Sequence, residues 1–116
     1  MSIFDDVSEF MVACGQSTDY PNENQSILYG DLVAEEADEL VFAETDEEEL
    51  DAICDSIWVL VGLALSKGYD IEGAFNEVRR SNMSKVDAET GKVLKRADGK
   101  VLKPSTFSPP HLTPYV

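Results

Sequence analysis

The sequence predicts an all-α protein, and two observations carry that reading. Apolar residues recur at three- and four-residue spacing as far as residue 82. Helix-start signals precede these stretches, and glycines close two of them. At 116 residues the chain is expected to build one core, and 43% hydrophobic content argues against wholesale disorder.

The first helix is expected from about Ile3 to Ala13. Ser2 and Asp5 have capping-box spacing, Ile3, Val7, Phe10, Met11 and Cys14 form an apolar stripe, and Gly15 stops it. A polar loop, residues 16–25, follows. The second helix is expected over Ser26–Ala43, with Leu28, Leu32, Ala37, Leu40 and Val41 inward and Glu35, Glu36 and Glu39 flanking them. Thr45 and Glu48 cap a third helix, Asp46 to Lys67, whose acidic first turn suits the helix dipole. Its second half, Ile57 to Leu65, is apolar all round. Such a segment must be covered on every side, which predicts help from other subunits. A fourth helix is expected over residues 71–82, capped by Asp70, with Ile71, Ala74, Phe75 and Val78 inward.

The last 30 residues differ. Gly91-Lys92-Val93-Leu94-Lys95 recurs as Gly99-Lys100-Val101-Leu102-Lys103, with a turn signal between, and reads as a small hairpin. Four prolines then favour an extended tail that Phe107, Leu112 and Tyr115 can anchor. The expected division is a helical catalytic part, 1–85, and a basic C-terminal extension, 86–116, packing on the body or on a neighbouring subunit.

Charge is unevenly spread. Residues 1–66 hold 17 Asp and Glu and no Lys or Arg, whereas residues 67–116 hold nine bases and six acids. The acidic body argues against binding a nucleic-acid duplex. A metal-loaded acidic site beside a basic segment suits a small polyphosphate. The longest apolar run is too short to span a bilayer, and the N-terminus lacks a basic leader, so a cytoplasmic protein is expected. Cys14 and Cys54 read as buried free thiols.

The chemistry centres on Glu35-Glu36-x-x-Glu39 and Asp51-x-x-x-Asp55. Glu36 and Glu39 are neighbours on one helix, as are Asp51 and Asp55 on the next, with Glu48 a turn earlier. Spacing alone favours a solvated surface. Two features point instead to a divalent cation: no base interleaves the strip, and Asp55 adjoins the apolar segment, where an unpaired carboxylate is costly. Asn82 and Lys85 read equally as a helix cap with a solvated lysine or as ligand contacts. Trp58 reads first as core and second as a stacking surface for a base. Arg79 and Arg80 are expected to pair with the acidic body. No phosphate-binding glycine loop, paired CxxC or nucleophile elbow is present.

These residues resemble the all-α nucleoside triphosphate pyrophosphohydrolases, the superfamily of MazG, dimeric dUTPase and phosphoribosyl-ATP pyrophosphohydrolase. The likeness covers most of the chain. The segment Glu77-Val78-Arg79-Arg80-Ser81-Asn82-Met83-Ser84-Lys85, with the Gly-Lys repeats and Pro109-Pro110, is similar to the small phage and bacterial branch. The resemblance implies a four-helix MazG-like bundle completed by oligomerisation, as a dimer or tetramer. It implies Mg²⁺-dependent hydrolysis of a nucleoside triphosphate, NTP or dNTP, to the monophosphate and pyrophosphate, with Mn²⁺ as a possible substitute. Glu36, Glu39 and Asp55 match metal ligands, Glu35 matches a residue that orients the attacking water, and Asn82 and Lys85 match substrate contacts. One position departs from the pattern. Where the family's second motif, Glu-x-x-Asp, has its glutamate, this chain has Ala52. Asp51 or Glu48 is expected to substitute. Phosphoribosyl-ATP hydrolysis and a non-catalytic helical binding protein are the alternative functions.

Overall fold

A computed structural model describes residues 2–116. Four α-helices are present: α1 (Ile3–Ala13), α2 (Glu23–Val41), α3 (Asp46–Ser66) and α4 (Ile71–Met83). A single 3₁₀ turn, Thr113–Tyr115, follows, and no strand occurs among the described residues. The expected all-α architecture is therefore the observed one. The chain forms two compact units, Met1–Ile71 and Glu72–Val116.

In the first unit, local chemistry sets the helix ends. Ser2, Asn22 and Thr45 each accept a hydrogen bond from the backbone N–H three residues on, satisfying a donor that the helix start leaves free. Asn22, rather than Ser26, begins α2, so that helix starts three residues earlier than its apolar pattern implies. α1 and α3 end in the same way. Gly15 and Gly68 adopt φ of +73° and +75°, and the following residue's N–H bonds back into the last turn (Gln16 to Met11 O, 2.9 Å; Tyr69 to Ala64 O, 3.1 Å).

α2 and α3 pack extensively on one another, and α1 lies against α3. The core comprises Val7 and Met11 of α1, Tyr29 of α2, and Val59, Val61 and Leu65 of α3, with Phe4, Leu32, Val33, Leu63 and Ile71 packed around them. The inward face of α2 thus runs through Gln25, Tyr29, Leu32, Val33 and Glu36, and differs from the expected stripe. Leu28, Leu40 and Val41 are exposed instead. The reason is that the face of α2 toward α3 centres on Gln25 and Tyr29, which keeps Leu32 inward and turns Leu28 and Leu40 outward. The cysteines correct a second expectation: both thiols are free but exposed.

A buried polar network ties the ends of these helices together. Gln25 Nε2 donates to Ser17 O (2.7 Å) and to Ser66 Oγ (2.8 Å), while its Oε1 accepts from Ser17 N–H (2.9 Å). Ser66 Oγ donates to Gly62 O at 2.7 Å. Tyr29 O–H donates to Gln16 Oε1 at 2.7 Å. Satisfied networks of this kind specify a single arrangement of the elements that they join.

In the second unit, the tail runs back along α4. His111 N–H donates to Glu77 (2.6 Å), Arg80 donates to Pro109 O (3.1 Å), and Ser84 Oγ accepts from Ser108 N–H (2.9 Å). Arg80 also pairs with Glu77 at 2.6 Å, so its partner lies on its own helix rather than on the acidic body. The expected hairpin reduces to one bridge, Lys95 with Val101, around a turn held by Asp98 and Arg96.

Candidate active site

α2 and α3 are antiparallel, and two contacts set their register. Gln25 bonds Ser66, and the Tyr29 ring lies directly over Gly62, where any Cβ would clash with it. Seven residues further along α2 lies Glu36, and seven residues back along α3 lies Asp55. The same register that seats Tyr29 on Gly62 therefore sets Glu36 against Asp55. Glu39, one turn on, falls opposite Ala52. Glu36, Glu39 and Asp55 each bring a carboxylate oxygen to within 4.8 Å of the others.

The cluster is electrostatically strained. Burial, followed by a hydrogen bond and charge from Glu39 and the charges of Asp55 and Asp51, pushes Glu36 up to about 7. Burial and the adjoining Asp51 and Glu39 also raise Asp55. Glu36 Oε2 is shut off from water and has no hydrogen-bond partner among the described residues. A buried acceptor without a donor costs about 1–3 kcal/mol, and three acids with no neighbouring base repel one another. A hard divalent cation with oxygen ligands resolves both conflicts. The donor set fits such an ion.

The other predicted residues fall into three places. Asp51 is exposed, yet its charge bears on both Glu36 and Asp55 and raises each. Glu48 is engaged elsewhere: its Oε2 accepts from Glu44 N–H at 3.0 Å and completes the cap of α3. Ala52 is 2% exposed, so the position at which the sequence lacks the expected carboxylate is buried. A cleft of about 320 Å³, lined by Glu39, Phe42, Ala43, Glu48 and Asp51, opens beside the cluster. Glu35 lies on the exposed side of α2. Trp58 turns toward α1, edge-on to Phe10 at 5.7 Å, where both rings remain partly exposed.

A family model for phosphoribosyl-ATP pyrophosphohydrolase matches residues 7–82, about two-thirds of the chain, including every carboxylate of the cluster. The chain belongs to the phosphoribosyl-ATP pyrophosphohydrolase family. It is thereby a member of the MazG-like all-α superfamily and a pyrophosphohydrolase acting on a nucleotide. Phosphoribosyl-ATP pyrophosphohydrolases typically depend on a divalent metal, in keeping with the acidic cluster. No individual curated protein matches the chain. No helix among the described residues is long and apolar enough to cross a membrane.

The family match ends at Asn82. Asn82 and Lys85 lie in the second unit and bond to each other, Lys85 Nζ to Asn82 Oδ1 at 3.2 Å. Sequence reasoning did not single out Lys103 and Phe107 as a pair, although both lysines lie close to the Phe107 ring, Lys85 at 5.6 Å and Lys103 at 5.0 Å from its centre. The available signal was the Gly-Lys repeat, whose second copy ends on Lys103.

Proposed function

We propose that this enzyme hydrolyses a nucleoside triphosphate, NTP or dNTP, between the α and β phosphates, releasing the monophosphate and pyrophosphate. The convergence of Glu36, Glu39 and Asp55, with an orphaned buried oxygen on Glu36, carries the reading. These three side chains are the proposed ligands for Mg²⁺, with Mn²⁺ as a substitute. Asp51 is the proposed fourth, because Glu48 is engaged in the helix cap. When bound, such an ion supplies charge to clamp phosphoryl oxygens and lowers the pKa of water. Glu35, on the exposed side of α2, is the proposed residue to orient the attacking water. Asn82 and Lys85 are the proposed contacts to substrate, and Trp58 the proposed stacking surface for the base.

The family match is equally consistent with a second substrate, phosphoribosyl-ATP, which would be cleaved at the same bond. One assay separates the two: pyrophosphate release with Mg²⁺ from a panel of nucleoside triphosphates and from phosphoribosyl-ATP. Turnover of phosphoribosyl-ATP alone would replace the first reading with the second.

The enzyme is proposed to be cytoplasmic and to act as a dimer or tetramer. Leu50, Ile53, Ile57 and Leu60 of α3 are each 39–62% exposed and recur at three- and four-residue spacing. A continuous apolar helix stripe supports burial against a second copy. The catalytic part is proposed to extend to residue 85, with 86–116 as its extension.

A further inference from the structure

The tail of the second unit is clamped so that residues 103–108 lie beside the end of α4. Thr106 Oγ1 donates to Ser84 O at 3.2 Å, and Ser108 N–H donates to Ser84 Oγ at 2.9 Å. Two hydrogen bonds further along, Arg80 to Pro109 O and His111 N–H to Glu77, continue the clamp. Its effect is to bring Lys103 to the Phe107 ring that Lys85 also approaches. The two ammonium groups are therefore no more than about 11 Å apart, the sum of 5.6 and 5.0 Å. Neither is paired with a carboxylate among the described residues, whose ion pairs are Arg80–Glu77 and Arg96–Asp98.

Two cations gathered on one ring repel each other, and each gains only about 0.5–1 kcal/mol from the ring face at an exposed site. A bridging anion turns that repulsion into binding. The ring also limits how far each lysine must be ordered when an anion arrives. Two separated cations suit a chain of phosphoryl groups better than a single phosphate, which favours convergent donors. Next along the chain, Ser84, Ser105 and Thr106 line a cleft of about 520 Å³, although the hydroxyls of Ser84 and Thr106 already donate to Ser81 O and Ser84 O. Its other walls are Val86, Ala88 and Pro104 with two acids, Asp87 and Glu89. Asp87 Oδ1 is already occupied by the N–H groups of Glu89 and Thr90. The unit as a whole carries eight bases against five acids over residues 72–116.

We propose that Lys85, Phe107 and Lys103 form a polyphosphate-binding clasp within the second unit. The clasp takes a chain of phosphoryl groups and does not depend on the pyrophosphohydrolase reading. Inorganic tripolyphosphate is the probe, titrated calorimetrically into the full chain in EDTA at low salt. No metal and no turnover are involved, so an inactive protein still reports binding. Wild type and Glu39→Ala bind equally, Lys103→Gln weakens binding about tenfold, the loss of one charge-assisted contact, and Lys103→Arg restores it. Lys100→Gln, in the turn of Asp98 and three residues before Lys103, serves as control. An equal loss from Lys100→Gln and Lys103→Gln, or no binding to wild type, overturns the clasp and leaves the pyrophosphohydrolase reading to its own assay.

Discussion

Tyr29 lies across the bare backbone of Gly62, and this contact sets the register in which Glu36 meets Asp55. Neither residue has any chemistry to perform. Their contact positions the carboxylates two turns away on each helix.

Gly62→Ala is therefore expected to destabilise the protein by about 1–3 kcal/mol, the usual cost of overpacking a close contact. Divalent-metal affinity should fall with it. Gly30 is the control: it sits in α2 with nothing near a would-be Cβ, so Gly30→Ala should stabilise by about 0.5–1 kcal/mol. Thermal melts of both variants check the pair; equal melting temperatures would contradict the assigned contact.

Glu39→Ala should abolish pyrophosphate release while leaving far-UV helicity unchanged. Full activity in this variant would remove Glu39 from the metal site. Asp51→Asn should retain partial activity with a raised metal requirement, since Asp51 adjoins the cluster from an exposed position.

In the metal-free protein, Glu36 is raised from 4.5 to about 7, so the folded state holds its proton more tightly than the unfolded chain. Stability therefore declines as pH rises from about 4.5 to about 7, and Asp55 adds to the decline. Glu77 is lowered to about 2 and acts in the opposite sense, but only below pH 4.5. Melting temperatures in EDTA should fall between pH 5 and 7.5. Glu36→Gln should flatten that slope, and Mg²⁺ should raise the melting temperature most at the upper end, where the ligands are ionised. A flat profile in the wild type would contradict the burial of Glu36.

Gln25→Ala leaves the N–H and carbonyl of Ser17 without their partner, while the Ser66 hydroxyl keeps only its bond to Gly62 O. A loss of at least about 2 kcal/mol is expected, because each buried group left unsatisfied costs about 1–3 kcal/mol. Denaturant titration measures it.

Light scattering at micromolar concentration should give a dimer or tetramer. Ile57→Glu, in the exposed stripe of α3, should shift it to monomer. A monomeric wild type would leave that stripe without the proposed partner.

By itself, the sequence determined the four helices, most of their ends and the carboxylates that matter. Those features depend on short-range chemistry: Ser2 and Thr45 reach only three residues, and Gly15 and Gly68 supply the positive φ that a helix end needs. Glu36, Glu39 and Asp55 stood out because no base interleaves them, because Asp55 adjoins the apolar segment and because the pattern resembles the pyrophosphohydrolases; helical spacing alone pointed to a solvated face. The tertiary structure alone decided which face of α2 turns inward, because Tyr29 and Gln25 find Gly62 and Ser66 more than 30 residues away. It placed Ala52 inside the helix pair, engaged Glu48 in a cap and left both cysteines exposed. It also brought Lys103 to Lys85 through a tail whose local pattern indicated only an extended chain. Periodicity records which residues share a face. What that face meets depends on contacts between segments distant in sequence, and here one tyrosine on one glycine settles it for the acidic cluster.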